Sequence, residues 1–250
     1  MKTAIIIPAR YASTRLPAKA LLNETGKYLV EHVYEQALKV KGVETVVVAT
    51  DDERIRVAVE GFGGKAVMTS VDHPSGTDRV AEAARDLDVD AIVNLQGDEP
   101  LIDPHTLEVL IDQLRQDPTA QMATLAVPIR SDEMYRNPNC VKVVRDLEGR
   151  ALYFSRSPIP YVRDASPDFA AEPARFLLHL GLYAYRKQAL FQLAKLPPHP
   201  LEEQEKLEQL RALGNGWTIR LGVVPHTGRG VDTPEDYARF VAEYRASYSR

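Results

Sequence analysis

The chain has 250 residues, 44% of them hydrophobic, a formal net charge of −4 and a single cysteine. That length suits one large α/β domain, or one domain carrying a sizeable lobe. The acidic balance argues against a sequence-independent nucleic-acid binder, lone Cys140 leaves no disulfide framework or thiolate metal cluster, and no stretch nears the roughly 18 apolar residues of a membrane span.

Thr3 to Ile7 is a β-branched run bounded by Pro8, which reads as a buried strand. The run is too short for a signal peptide and charges follow it at once, so a cytoplasmic protein is the expectation. Leu29 to Val40 has helical periodicity. Thr45 to Ala49 reads as a second strand. The acidic turn Asp51-Asp52-Glu53 then leads into a helix to Glu60, ended by Gly61 to Gly64. Lys65 to Thr69 suits a short strand, Thr77 to Leu87 a helix, and Ala91 to Leu95 another strand. Pro104 to Arg115 is a helix with proline near its first position, and Met122 to Val127 a strand. Such alternation implies βαβ units and a mostly parallel central sheet flanked by helices, an α/β fold.

The second half is less regular. Cys140 to Val144 and Leu152 to Ser155 read as a hairpin around Glu148-Gly149. Tyr161 to Ala174 has no periodicity and is expected to be a loop. Arg175 to Tyr185 reads as a strand, Pro200 to Leu213 as one helix, Thr218 to Val223 as a strand and Pro234 to Tyr248 as a terminal helix. No linker divides the chain. The expectation is a single domain over 1–250, with a smaller mixed lobe at about 130–215.

Chemistry concentrates at strand ends. Arg10, Arg15 and Lys19 follow the first strand in a loop, where open α/β sheets bind ligands. Three cations there suit a polyanion. Asp98 falls just past another strand, placed to hold a divalent metal against phosphate oxygens, and Gly97 lets backbone approach closely. Asp232 is either a second metal ligand or a cap of the terminal helix, with Pro234 at its first position. Ser75 to Arg79 precedes a helix and suits an anion or a simple cap. His179 lies within an apolar strand, where a packed histidine is the ordinary reading. Arg156 is the odd charge ending a strand pattern. Glu205, with Glu208 or Gln209, would share one helix face. No Walker A or G-x-G-x-x-G sequence occurs, so phosphate binding would rest on side-chain cations plus metal.

Ile6-Ile7-Pro8-Ala9-Arg10-Tyr11-Ala12-Ser13-Thr14-Arg15-Leu16-Pro17 resembles the opening of the CMP-Kdo synthetases. These are the 3-deoxy-manno-octulosonate (Kdo) cytidylyltransferases of bacterial outer-membrane biosynthesis. Further blocks extend the resemblance along almost the whole chain. They include Asn94-Leu95-Gln96-Gly97-Asp98-Glu99-Pro100, His179-Leu180-Gly181-Leu182-Tyr183, Leu207-Glu208-Gln209-Leu210-Arg211 and Gly230-Val231-Asp232-Thr233-Pro234-Glu235-Asp236. The resemblance implies a glycosyltransferase-A-like nucleotidyltransferase fold with a sugar-binding and dimerisation lobe. It implies formation of CMP-Kdo and pyrophosphate from CTP and Kdo for lipopolysaccharide biosynthesis, with Mg²⁺ as cofactor and a homodimer as the assembly.

By resemblance, Ala9, Arg10, Arg15, Lys19, Ser75, Arg79, Gln96 and Asp98 serve the nucleotide, with Lys19, Arg15 and Asp98 catalytic. Asp98 and Asp232 are implied metal ligands. Arg156, His179, Tyr183, Glu208 and Gln209 are implied in the sugar pocket. One departure stands out. The family continues its opening with Gly-Lys-Pro, where this chain has Ala18-Lys19-Ala20. If position 18 needs positive φ, alanine is strained there. The alternatives are activation of a related acid such as 8-amino-Kdo, and a non-catalytic nucleotide-binding protein of the same fold.

Overall fold

A computed structural model of the chain describes residues 1–12, 16–226, 228 and 230–248. Two compact units divide the chain, Met1–Glu108 with Gly228–Arg250, and Val109–Thr227.

In the first unit, β1 (Thr3–Ala9), β2 (Thr45–Thr50), β3 (Ala66–Met68) and β4 (Ala91–Asn94) lie in the order β3-β2-β1-β4. All their pairings are parallel. Thr3 through Ile7 are fully buried, as a central strand covered on both faces requires. Strand β1 runs two residues past its expected end. Pairing with β4 stops at Ile6–Asn94, while pairing with β2 continues to Ala9–Thr50. Pro8 therefore sits where the strand keeps one partner, which tolerates its missing N–H. The connecting helices are α1 (Leu29–Leu38), α2 (Glu53–Gly61) and α3 (Gly76–Ala83). Helix α1 buries Leu29, Val30, Val33, Tyr34 and Ala37. The α3 helix stops four residues before its expected end.

Helix α4 (Pro104–Gln116) leads to the second unit, which contains β5 (Met122–Pro128), α5 (Asp132–Arg136), β6 (Lys142–Arg145), β7 (Ala151–Ser155), β8 (Leu177–Arg186) and α6 (Lys187–Leu193). After these come α7 (Pro200–Glu205), α8 (Gln209–Gly214) and β9 (Ile219–Val223). Strand β5 pairs antiparallel with β8 and parallel with β9. The expected hairpin is β6 with β7. The terminal helix α9 (Pro234–Tyr248) returns to the first unit, packing Tyr237, Phe240 and Val241 with Leu16, Leu29 and Val231.

Two expectations need correction. The helix expected over Pro200 to Leu213 is broken at Lys206, whose backbone is left-handed (φ 53°, ψ 48°). Glu205 thus ends α7 while Gln209 opens α8, so they share no helix face. The aperiodic 161–174 segment does lack helix and strand, yet Phe169 anchors it, packing against Tyr135 and Phe176.

Candidate active site

Strand β1 lies between β2 and β4, so the chain order reverses beside it. A crevice opens at such a switch point, outside the carboxyl ends of the strands. There the first unit has a cavity of about 360 Å³, lined by Ala9, Arg10, Lys19, Gln96, Asp98 and Asp232 among others. Ala9 ends β1. The Arg10 guanidinium donates from Nη2 to the His73 carbonyl at 3.0 Å. Gly97 is held close, since a Cβ there would stand 3.1 Å from the Pro8 carbonyl oxygen. Gln96 Nε2 donates to Asn94 Oδ1 at 3.4 Å.

Lys19 opens a short 3₁₀ turn, Lys19–Leu21, and Ala18 before it is left-handed (φ 53°, ψ 28°). Its ammonium donates to Asp98 Oδ2 at 2.6 Å and to Asp232 Oδ1 at 3.2 Å. Two carboxylates far apart in sequence therefore converge on one cation. Of the two roles open to Asp232, the cap goes to its neighbours. Thr233 Oγ1 accepts the Asp236 N–H, and Asp236 Oδ2 accepts the N–H groups of Asp232 and Thr233.

Glu99 adds a third carboxyl. Its Oε2 is enclosed and has no hydrogen-bond partner among the described residues. Burial, reinforced by the charges of Asp98 and Asp232, pushes it up to about 7. The sequence analysis gave Glu99 no role, and its only signal was its place beside Asp98. Asp98, Asp232 and Glu99 thus bring three carboxyl groups close to the Lys19 ammonium. No group of three or more His, Cys, Asp or Glu donors able to hold a metal occurs among the described residues. Two carboxylates are what Mg²⁺ takes when phosphates and water complete its shell, so Asp98 and Asp232 fit it.

Other expected residues are placed differently. Arg15 lies outside the described residues. Ser75 acts as the N-cap of α3, its Oγ accepting the Asp78 N–H at 3.1 Å, and it is Gly76 that lines the cavity. Arg79 is fully buried and is not among the residues that line the cavity. Its guanidinium donates to Thr69 Oγ1 and, at 2.6 Å, to Asp51 Oδ2. A buried charge needs such a partner, and that need fixes its direction. One contact went unread in the sequence. The Arg54 guanidinium stacks 3.3 Å over the Tyr11 ring and is gripped by Asp52, the N-cap of α2.

The second unit has its own cavity of about 500 Å³, lined in part by Cys140, His179, Tyr183, Lys206, Glu208 and Gln209. Tyr183 donates its hydroxyl to Gln209 Oε1 at 3.0 Å. Burial and the charge of Glu208 raise the phenol. Gln209 is buried, and its Nε2 has no partner among the described residues. His179 Nε2 lies 2.9 Å from Thr124 Oγ1, and desolvation pushes the ring down to about 3, so it is neutral near pH 7. Arg156 is not brought to this cavity. Its guanidinium donates to the carbonyls of Glu205, Pro138 and Lys206, while Glu205 takes Ser155 Oγ and the Arg156 N–H.

A family model described as cytidylyltransferase matches residues 4–219. The chain belongs to the cytidylyltransferase family. The 3-deoxy-manno-octulosonate cytidylyltransferase of Syntrophotalea carbinolica is 51% identical over 248 residues, covering 98% of this chain and 99% of that one. The enzyme of the same name from Escherichia coli is 51% identical over 233 residues, covering 93% and 92%. A solved CMP:2-keto-3-deoxy-manno-octonic acid synthetase complexed with CTP superposes with a TM-score of 0.92 at 48% identity, covering 99% of this chain and 100% of that one. A 4-diphosphocytidyl-2C-methyl-D-erythritol synthase from Anaerococcus prevotii shares the fold, with TM-score 0.61 and 13% identity over 100% of this cytidylyltransferase chain and 99% of its own.

Proposed function

We propose that this protein activates Kdo with CTP, giving CMP-Kdo and pyrophosphate for lipopolysaccharide assembly. The observation that carries the reading is the convergence of Lys19, Asp98 and Asp232 at the end of β1, in one cavity with Arg10. That is a phosphate-and-metal arrangement built from side chains. Arg10 and Lys19 bind the triphosphate and offset its charge. Asp98 and Asp232 are the residues that would hold Mg²⁺, which when bound neutralises phosphate charge and polarises the α-phosphate.

The acceptor's anomeric 2-hydroxyl attacks the α-phosphorus of CTP. A P–O bond forms to the sugar, the bond to the β-phosphate oxygen breaks, and the hydroxyl proton is released. Positioning and charge neutralisation supply most of the acceleration. In the second unit, Gln209 offers a buried amide donor and Tyr183 a hydroxyl for a polyhydroxylated acid. His179 is neutral there and acts by hydrogen bonding or packing rather than by charge. In the same reading the enzyme is a homodimer working in the cytoplasm. No helix among the described residues is long and apolar enough to cross a membrane.

Pyrophosphate release from CTP is the test, with Kdo, 8-amino-Kdo or no acceptor, and with UTP in place of CTP. Release with CTP and Kdo is expected. Release with 8-amino-Kdo alone would move the acceptor, and CTP binding without release under any acceptor would reject catalysis. Asp98→Ala is expected to lower kcat about a hundredfold or more.

A further inference from the structure

In the observed geometry, Lys19 competes with any divalent ion for its two carboxylate partners. Lys19 Nζ stands 2.6 Å from Asp98 Oδ2 and 3.2 Å from Asp232 Oδ1. An ammonium at these distances competes with a divalent ion for the same two carboxylates, because two cations brought so close repel each other. Two of the three ammonium N–H donors are spent on these carboxylates, which leaves one to meet a phosphate. We propose that Lys19 is a counter-ion gate. Without nucleotide it closes the Asp98–Asp232 pair against divalent cations, and an arriving triphosphate draws the ammonium to itself and opens the pair.

The surroundings make the exchange coupled. Arg10 lines the same cavity, so a triphosphate has a cation to meet while Lys19 still holds the carboxylates. Departure of Lys19 removes one positive charge from beside Asp98 and Asp232, next to the enclosed Glu99 carboxyl. Loss of a positive charge beside carboxylates favours the entry of a replacement cation. Release of the lysine and entry of a divalent ion therefore favour each other, and nucleotide and metal bind with positive coupling. The gate also gives Lys19 two successive partners, first the aspartates and then the phosphates. The proposal rests on the reading of Asp98 and Asp232 as the metal ligands.

Mn²⁺ alone is the probe, titrated into nucleotide-free protein and followed by the electron paramagnetic resonance signal of the free ion. Lys19→Met is expected to bind Mn²⁺ about tenfold or more tighter than the wild type, the equivalent of losing one charge-assisted competitor. Lys19→Arg, which keeps the cation, stays as weak as the wild type. Adding Asp98→Asn to Lys19→Met abolishes the gain. Equal Mn²⁺ affinity in wild type and Lys19→Met, at a site lost in Asp98→Asn, overturns the gate and leaves the ligand reading standing. A gain that survives Asp98→Asn, or no Mn²⁺ binding by any variant, overturns the ligand reading and the gate with it. Lys19→Gln, also neutral but able to hydrogen-bond both carboxylates, replaces the Met variant should that one fail to fold.

Discussion

Ala18 is a residue at which the backbone is strained. A left-handed conformation places an L-residue's Cβ against the following carbonyl, at a cost of about 1–2 kcal/mol, while glycine escapes it. Ala18 adopts that conformation one residue before Lys19. Ala18→Gly is therefore expected to stabilise the fold by about 0.5–1 kcal/mol, after allowing for the greater freedom glycine gives the unfolded chain. The midpoint of urea unfolding measures it, and an unchanged or lower midpoint refutes the strain argument. His179 bears on acid stability. Its folded value near 3 lies below the usual 6.5, so between those values the unfolded chain binds a proton that the folded one does not. Stability then falls as pH drops below about 6.5. His179→Gln should flatten that fall by about 2 kcal/mol between pH 7 and 5, as urea titrations at the two pH values would show.

The elements were legible where one physical signal dominated. The apolar run of β1, the valines of β2 and the periodicity of α1 each left one reading open. The failures came where tertiary partners decide. The break at Lys206 cannot be read from a glutamate-rich run that favours helix throughout. Arg79 suited an anion in sequence, yet Asp51 and Thr69 claim it in the fold. The Asp52–Arg54–Tyr11 stack was invisible for the same reason, since 40 or more residues separate Tyr11 from α2. That stack ties the segment after β1 to the start of α2, and Ala12 beside Tyr11 lines the first unit's cavity. A cation over a ring near the surface contributes about 0.5–1 kcal/mol. Arg54→Ala keeps the backbone N–H that Asp52 caps. Arg54→Ala and Tyr11→Ala should each raise KM for CTP about threefold, and the double variant no further. Additive effects in the double variant would show that the two residues act separately.

At the scale of the whole molecule, each compact unit carries a cavity of its own character. The first unit's cavity has cations and carboxylates at strand ends. In the second, a neutral histidine, a raised tyrosine and a buried amide look onto the other cavity. The proposed reaction assigns the nucleotide to the first and the sugar acid to the second, so their substitutions should separate kinetically. Gln209→Glu is the sharpest probe. It keeps an acceptor for the Tyr183 hydroxyl and removes the Nε2 donor, which lacks a partner among the described residues. An unmet buried donor gains most from a ligand acceptor, and losing that bond costs about 1.5 kcal/mol. KM for Kdo should therefore rise about tenfold, with KM for CTP within twofold of the wild type. Arg10→Ala should do the reverse, because it lines the first unit's cavity. If both variants shifted both constants alike, the division of labour between the units would be wrong, however well each one folded.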